Sequence, residues 1–245
     1  MRRPHLTRRS RWLESRRSMQ RDRPVPVRVM AVNFASVSES PARVRQIVAE
    51  TQEKARAYDV AVIVGCEAGD VEKARFGPAW QVFHDERPKD GPRAGTLLAV
   101  DTSRVQMHGE ILTQGCDAGA GIRSRYIAHA HLLFDPGTPV RWVATVGAFH
   151  APPMRSWVKW AGYMSRLARL NLDVSGGDAN KLQWATARAL RRRVHTDRHV
   201  MAIPVARWIP SRRVAIVDVG SDHGAVITEL WPNRKPSHRK GENRP

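Results

Sequence analysis

Apolar residues follow two alternating patterns between about residue 27 and residue 230. Short, nearly continuous apolar runs such as VRVMAV (27–32) and VAVIV (60–64) are typical of strands that are covered on both faces. Between these runs, Val44, Ile47 and Val48 recur at helical spacing, which indicates a helix with one buried face. The alternation predicts a layered α/β domain in which helices cover sheets.

Polar residues and prolines define where the predicted elements begin and end. Ser38 or Ser40 is expected to cap the first helix, because Pro41 suits its first turn, and Asp59 ends it. Aromatic and leucine residues predict a second helix over 157–170, and a third is expected over 184–193. Further strands are predicted near 79–83, 95–100, 126–134, 140–148, 199–205, 213–219 and 225–230.

The 245 residues are enough for one large α/β domain or two small ones. Nine arginines against two acidic residues predict a disordered or partly helical basic arm over 1–24. An extension that only increases solubility would have the same composition. Residues 232–245 form a second polar, basic tail. We therefore expect a single domain over 25–231 between two basic, disordered termini.

The chain is strongly basic, with a net charge of +18 and a pI near 11.3. Without the two termini, 27 basic residues still face 20 acidic ones, so the charge is not confined to the ends. Nucleic acid is the first partner that such a charge suggests, and an anionic membrane surface the second. A general bias toward arginine over lysine is the competing explanation.

Cysteine content and hydropathy favour an intracellular protein. Cys66 and Cys116 give no disulfide framework, and the position of Cys66 within an apolar strand favours a reduced, cytoplasmic setting. No apolar run approaches the roughly 18 residues that a membrane span needs. The Arg-rich N-terminus lacks the apolar core of a secretory signal. We expect a cytoplasmic monomer that does not associate with membranes.

Polar side chains follow several of the apolar strands at the point where each strand ends. The stretch LDVSGGDANK (172–181) shows this best, since its two glycines allow a sharp turn and a close approach of the backbone. Side chains at separate strand ends often converge at one edge of an α/β domain. The residues concerned are Asn33, Glu67, His150, Asp178, Asn180, Asp222 and His223.

The chemistry of these side chains suits phosphodiester hydrolysis. Glu67 and Asp178 offer the oxygen ligands that Mg²⁺ or Mn²⁺ prefers, and histidines can polarise a phosphoryl oxygen or transfer a proton. A metal would offset the negative charge that develops on phosphate. Each residue alone has a simpler explanation: a surface acid, a structural histidine, or an ordinary turn at GDAN (177–180) or at SDH (221–223).

The order of these motifs resembles the endonuclease/exonuclease/phosphatase superfamily, whose DNase-I-like fold is shared by pancreatic deoxyribonuclease, apurinic-site endonucleases and inositol phosphatases. The most specific parts are GDAN and SDH, and the resemblance runs from about residue 27 to residue 230. It implies a four-layer α/β/β/α sandwich, with two mixed, mainly antiparallel sheets packed face to face and helices outside.

The resemblance also implies a divalent metal, Mg²⁺ or Mn²⁺. Glu67 would hold the metal, and Asp222 would either bind it or orient His223. Arg123 and Arg125, which open a predicted strand, resemble residues of bacterial members and are candidate substrate-binding groups.

Catalytic roles carry over in the same way. Asp178 would align or deprotonate the attacking water, while Asn180 and Asn33 would position the water and the phosphate. His223 would contact the scissile phosphate as an electrophile or an acid. His150 would assist the leaving group or the phosphate.

The sequence departs from the family pattern at three places. Cys66 stands where the family has a glutamine before the metal-binding glutamate, and Ala179 replaces an aromatic residue or leucine. The family also has an aspartate that partners the final histidine. Asp197 is the nearest carboxylate to that position and is a residue out of register, so it is the candidate for orienting His223.

Together these features predict a divalent-metal-dependent phosphodiester hydrolase, with the charge favouring a nuclease acting on DNA or RNA. Two alternatives remain open from the sequence. One is a small-molecule or lipid phosphoesterase on the same fold. The other is a nucleic-acid-binding protein whose catalytic site has degraded.

Overall fold

The computed structural model describes residues 26–35, 39–68, 76–85, 95–108, 111–116, 125–135, 142–152, 157–180, 183–197 and 200–231 of the chain. The predicted basic arm at 1–24, the tail at 232–245, Ser38 and Arg123 lie outside the described residues, so the expectations for them stay predictions.

Within the described ranges, six strands form the first sheet, here called sheet A. They are β1 (Val27–Asn33), β2 (Val62–Cys66), β3 (Trp80–Asp85), β4 (Thr96–Asp101), β12 (Ser211–Val217) and β13 (Ala225–Leu230). Their order across the sheet is β12-β13-β1-β2-β4-β3. Among the described strands of this sheet, only the central pair β1 and β2 runs parallel, and the other neighbours are antiparallel.

Seven of the strands that the structure describes form the second sheet, sheet B. They are β5 (Val105–Met107), β6 (Leu112–Cys116), β7 (Arg125–Phe134), β8 (Trp142–His150), β9 (Val174–Asp178), β10 (Arg193–Thr196) and β11 (Met201–Val205). The order is β10-β11-β9-β8-β7-β5, with β6 also paired to β7. As in sheet A, one central pair, β8 and β9, is parallel.

In the described part of the chain, three helices cover the outer faces of the sheets. Helix α1 (Pro41–Ala57) begins at the N-cap Ser40, whose hydroxyl accepts a hydrogen bond from the Arg43 N–H at 3.3 Å. Helices α2 (Trp157–Arg169) and α3 (Gln183–Leu190) follow β8 and β9. In the described part of the chain, no helix is both long enough and apolar enough to cross a membrane.

Buried apolar residues form three separate clusters, and these clusters define the layers. The largest lies between the two sheets, with Val64 and Leu98 of sheet A against Val146 and Ile203 of sheet B. A second lies between α1 and sheet A, and a third between sheet B and helices α2 and α3. The predicted four-layer α/β/β/α sandwich with two mixed, mainly antiparallel sheets is confirmed.

The third helix is shorter than the sequence predicts. It ends at Leu190, because Arg191 takes a left-handed conformation (φ 52°) and Arg193 already begins β10. The Arg192 N–H returns to the Ala187 carbonyl at 3.2 Å, which closes the last turn. A left-handed residue at the end of a helix is ordinarily glycine or asparagine. Because an arginine stands there, the sequence gives no signal that the helix ends at this point.

Candidate active site

Strand pleating directs three of the predicted residues into the space between the sheets. Successive side chains alternate between faces, and Ala31, Ala148 and Val174 all belong to the cluster between the sheets. Asn33, His150 and Asp178 lie two, two and four residues further along the same strands, so they share that face at the strand ends. His150 pairs directly with Asp178 in the β8–β9 register.

Two glycines let strand β9 come close to its neighbours. A methyl group on Gly176 would collide with the side chain of Val64 on the facing sheet. Gly177 has a φ of 150°, and a methyl group there would collide with the carbonyl of Phe149 on β8. The Gly-Gly pair therefore brings the backbone before Asp178 unusually near both β8 and sheet A.

The carboxylate of Asp178 lies between two imidazoles. Its Oδ2 is 3.9 Å from Nε2 of His150 and 3.9 Å from Nε2 of His223. The Asp178 and His150 side chains are only 5% and 4% exposed, whereas His223 is 27% exposed and faces the opening of the site. A buried carboxylate between two potential proton carriers is suited to proton transfer.

Two further acidic residues extend this arrangement. Glu67 Oε1 lies 3.7 Å from Nε2 of His150, and Asp222 Oδ2 lies 3.5 Å from Nε2 of His223. The Asp222 side chain is 54% exposed, so its carboxylate points toward solvent at the edge of the site. Five of the predicted residues thus lie in one continuous series of polar contacts.

The turn after β9 is fixed by hydrogen bonds from both of its polar side chains. Asp178 Oδ1 accepts from the Asn180 N–H at 2.7 Å, and Asn180 itself is left-handed (φ 51°). The Asn180 amide donates to the Ala151 carbonyl at 2.8 Å, and the Ala151 N–H donates to the Asp178 carbonyl at 2.8 Å. Asn180 therefore ties the end of β9 to the end of β8.

Asn33 is buried, and it connects the end of β1 to the SDH turn. Its Oδ1 accepts from the Ala35 N–H at 2.9 Å, and its carbonyl accepts a short hydrogen bond from the Ser221 hydroxyl. The same hydroxyl lies 3.1 Å from Asp222 Oδ1. Ser221 thereby holds the turn that carries Asp222 and His223 against sheet A.

Glu67 adopts a left-handed backbone conformation, with φ at 50°, immediately after β2. This conformation is costly for a residue with a Cβ. Unusual backbone conformations of this kind concentrate at functional sites, where the surrounding structure maintains them. Here it turns the Glu67 carboxylate toward His150.

Asp197 lies near Gly224, the residue after the SDH turn, and its role in orienting His223 stays a prediction. It is buried (4% exposed) just after β10, and its N–H donates to the Met201 carbonyl at 3.2 Å. A methyl group on Gly224, the residue after His223, would sit 4.0 Å from the Asp197 Cβ. Asp197 is therefore close to this turn in space, although in the sequence it stands one residue away from the position of the family's aspartate.

The Arg123–Arg125 pair stays a prediction. Arg125 opens β7, paired with Cys116 of β6, but its side chain lies outside the described residues. Nothing in the described chain tests whether these arginines contact a substrate.

Two supporting residues were not predicted for the site. The His150 N–H donates to the Tyr163 hydroxyl at 3.2 Å, and the Trp160 indole N–H donates to the Ala179 carbonyl at 2.7 Å. Both lie on the buried face of α2, three residues apart. The sequence predicts that face as a packing surface but gives no sign of its polar contacts with the site.

The site offers oxygen donors for a hard cation without forming a complete cage. Within the described residues, no three His, Cys, Asp or Glu side chains are arranged as a metal-binding group. Mg²⁺ is usually held by only one or two carboxylates and otherwise by water and substrate phosphate. Glu67, with its partly exposed carboxylate, and the exposed Asp222 match that donor chemistry, so the residues present fit such an ion.

Comparisons with known proteins find matches to solved structures but no match by sequence. No family model matches the chain, and no curated protein matches it. An endonuclease/exonuclease/phosphatase protein from Bacteroides vulgatus superposes with a TM-score of 0.65 at 13% identity, covering 86% of this chain and 100% of that one. The human Nocturnin catalytic domain with bound sulfate gives 0.63 at 12% identity, covering 84% and 94%.

TDP2 from D. rerio, complexed with a single-strand DNA product, superposes with a TM-score of 0.61 at 10% identity, covering 85% of this chain and 100% of that one. These matches span nearly all of each neighbour, so the whole domain is shared and not one motif. The chain therefore has the fold of the endonuclease/exonuclease/phosphatase superfamily, as the order of its strand-end motifs predicts.

Proposed function

We propose that this protein is a divalent-metal-dependent nuclease that hydrolyses phosphodiester bonds in DNA or RNA. The observation that carries the proposal is the position of the Asp178 carboxylate, 3.9 Å from the imidazoles of both His150 and His223. Hydrolysis of a phosphodiester needs a base for water, a positive group beside the phosphate, and a proton for the leaving oxygen. These residues can supply all three functions.

In the proposed reaction, Asp178 orients the attacking water and accepts its proton. The water oxygen forms a bond to phosphorus, and the bond from phosphorus to the leaving oxygen breaks. His223, the more exposed histidine, contacts the phosphate, and His150 assists the leaving oxygen or the phosphate. Asn33 and Asn180 keep the strand ends in position through their hydrogen bonds.

Glu67 and Asp222 would hold a Mg²⁺ or Mn²⁺ ion. When bound, such an ion offsets the negative charge that develops on the phosphate oxygens. The left-handed conformation of Glu67 supports this role, because it directs a carboxylate into the site at a cost in backbone free energy.

A nucleic-acid substrate is favoured by the charge of the protein. A net charge of +18 raises affinity for a phosphate backbone in a way that a single small phosphoester cannot exploit. The domain between the predicted arms is itself basic, with 27 basic residues against 20 acidic ones. One structural neighbour, D. rerio TDP2, is described in complex with single-strand DNA.

The direct test is cleavage of supercoiled plasmid and of labelled single-stranded RNA in Mg²⁺, in Mn²⁺ or in EDTA. We expect cutting that requires metal, and a loss on the order of 10²- to 10⁴-fold in Asp178→Asn and His223→Ala. Asp101→Asn and His131→Ala are matched controls, since both residues lie outside the site, in sheet A and sheet B.

Each result has a distinct meaning. Cutting that persists in EDTA, or that survives in both site variants, would refute this mechanism. Nucleic-acid binding without cutting in any metal would indicate a degraded site. The absence of both binding and cutting would point to a phosphorylated small molecule.

A further inference from the structure

Polar side chains join the two sheets where strand β10 of sheet B runs beside strand β12 of sheet A. Nε2 of His195 lies 3.0 Å from the Ser211 hydroxyl, and Nη1 of Arg193 lies 3.5 Å from the same hydroxyl. Further along the same strands, Nη1 of Arg213 donates to the Thr196 carbonyl at 2.7 Å. We call these five residues the seam.

The two arginines of the seam have no carboxylate partner among the described residues. Neither Arg193 nor Arg213 takes part in any of the ion pairs found there. Glu229, the acid on the neighbouring strand β13, pairs instead with Arg28 and Arg212, each at 3.0 Å. The positive charge of the seam is therefore not offset by a described acidic side chain.

Most of the hydrogen-bond donors of these two arginines are available. A guanidinium has five N–H donors, and the contacts of Arg193 and Arg213 with described residues involve Nη1 alone. The Arg193 contacts are long for hydrogen bonds, at 3.4 Å to the Ser211 carbonyl and 3.5 Å to its hydroxyl. Both arginines are exposed, so a ligand from solution can reach the other donors.

The charges of both arginines act on the same imidazole. Burial, and then the positive charges of Arg193 and Arg213, lower the pKa of His195 from 6.5 to about 4. Two cations that disfavour a third on the ring produce a positive local potential. Such a potential attracts an anion.

A phosphate group matches the donors of the seam. Guanidinium groups bind phosphate oxygens through charge-assisted hydrogen bonds, often two at a time. A carboxylate has two oxygens, which one guanidinium fork can occupy, whereas a phosphate has enough oxygens to accept from both arginines. The Ser211 hydroxyl can donate a further hydrogen bond.

The seam lies within reach of a strand that enters the candidate active site. Thr196 pairs with Ala202 of β11, which pairs with Gly177, the residue before Asp178. Two strand spacings of about 4.8 Å each therefore separate Thr196 from Gly177, or about 10 Å. A stacked nucleic-acid strand carries one phosphate about every 3.4 Å along its axis, so this distance spans only a few phosphates.

We propose that Arg193, Ser211 and Arg213, with His195 beside them, bind a backbone phosphate of the nucleic acid a few nucleotides from the bond that is cut. This inference rests on the proposed nuclease function and adds a substrate contact outside the catalytic residues. The contact positions the strand and takes no part in the chemical step.

The first experiment measures how salt weakens binding of fluorescent oligothymidylate, in EDTA so that cleavage does not intervene. For a single strand, the logarithm of the association constant falls against the logarithm of salt concentration by about 0.7 for each phosphate contact. Arg193→Gln and Arg213→Gln should each reduce this slope by about 0.7. Arg193→Lys keeps the charge and should keep most of the slope.

Arg212→Gln is the matched control. Arg212 precedes Arg213 on β12 and is 68% exposed, so the variant loses the same charge from the same surface. Its guanidinium is occupied, however, because it pairs with Glu229 and lies 5.1 Å from the centre of the Trp231 ring. This variant should keep the wild-type slope, and thermal unfolding of every variant checks that the fold persists.

The second experiment locates the bound phosphate. Inorganic phosphate is added at pH 7 and constant ionic strength while NMR follows the ring signals of His195, which His195→Gln assigns. These signals should move in wild type and stay in place in the Arg193→Gln/Arg213→Gln double variant. The signals of His131, on the exposed face of β7, should not move. Oligothymidylate should move the same His195 signals.

The outcomes separate this inference from the nuclease proposal. An unchanged slope in both arginine variants would overturn the seam site even if plasmid is cut. An equal loss of slope in Arg212→Gln would attribute the effect to overall charge and also overturn it. His195 signals that respond to inorganic phosphate but not to oligothymidylate would assign the site to free phosphate and refute a backbone contact. A reduced slope and moving His195 signals without any cleavage would overturn the nuclease and leave the phosphate site standing.

Discussion

At the scale of single residues, Glu67 combines backbone strain with the role proposed for it as a metal ligand. Its φ of 50° is unfavourable for most residues other than glycine, asparagine and aspartate, and its carboxylate lies 3.7 Å from His150. Stability alone would favour glycine at this position. A glutamate in a conformation that suits glycine supports the role proposed for its side chain.

The strain at Glu67 can be measured by comparing Glu67→Gly with Glu67→Ala. Both remove the carboxylate and should abolish activity, but glycine relieves the left-handed backbone and should be more stable than alanine by about 1 kcal/mol. Urea unfolding gives the two free energies. Glu53, exposed within α1, is the control, because there glycine should be the less stable by about 1 kcal/mol. Equal stabilities at position 67 would contradict the left-handed conformation.

At the scale of elements, the edge strands of the two sheets are joined by side chains. His195 of β10 lies 3.0 Å from the Ser211 hydroxyl of β12, and Arg213 of β12 donates to the Thr196 carbonyl at 2.7 Å. Burial, and then the charges of Arg193 and Arg213, lower the pKa of His195 from 6.5 to about 4. The contact between β10 and β12 therefore contains a histidine that is uncharged at neutral pH.

This lowered pKa predicts that acid weakens the fold. Between pH 6.5 and about 4 the unfolded chain binds a proton at His195 that the folded chain does not, so the free energy of unfolding falls as the pH falls through that range. Above pH 6.5 this contribution is constant. Because the ring is only partly buried, we expect an effect of about 1 kcal/mol.

His195→Gln tests this, since glutamine can bond to Ser211 but does not titrate. Urea midpoints measured from pH 7 to pH 4 should fall less steeply in the variant than in wild type. His131→Gln, on the exposed face of β7, should keep the wild-type slope. If the urea midpoint of His195→Gln depends on pH as steeply as that of wild type, His195 is not the cause of the loss of stability in acid.

At the scale of the whole molecule, the two sheets pack tightly against each other at Gly176. A methyl group there would collide with Val64 and would meet Ala31 Cβ at 3.2 Å, both on sheet A. The distance between the sheets in turn sets how near Asp178 comes to the end of β1. The packing at Gly176 therefore influences the distance between Asp178 and the end of β1.

A double-mutant cycle measures this packing. Gly176→Ala alone should cost about 1–3 kcal/mol by overpacking, and Val64→Ala alone about 2 kcal/mol by leaving a cavity. The double variant should be more stable than Gly176→Ala alone, because the second change makes room for the methyl group. Gly162→Ala, in α2 with no neighbour near the new methyl group, should instead stabilise by about 0.5–1 kcal/mol. Additive costs at 176 and 64 would refute the predicted contact.

The sequence identifies those elements whose patterns are long and local. The continuous apolar runs of β1 and β2, a cap at Ser38 or Ser40 and the periodic face of α1 were predictable, because strand pleat and helix turn repeat within a few residues. Strands β5 and β6, of three and five residues, and strand β10 were not. They are too short to show a period, and their existence depends on pairing with partners distant in the chain.

The order of the strand-end motifs can be recognised in the sequence because strand ends and their Gly, Asp, Asn and His residues are local features, and the resemblance of that order to a known superfamily predicted the fold. Which of these residues meet depends on the tertiary structure. It alone placed Asp178 equally near His150 and His223, brought Asp197 beside Gly224, and left Trp157 exposed above Trp160. Those distances arise from the packing of two sheets across residues far apart in the chain, and no local pattern encodes such contacts.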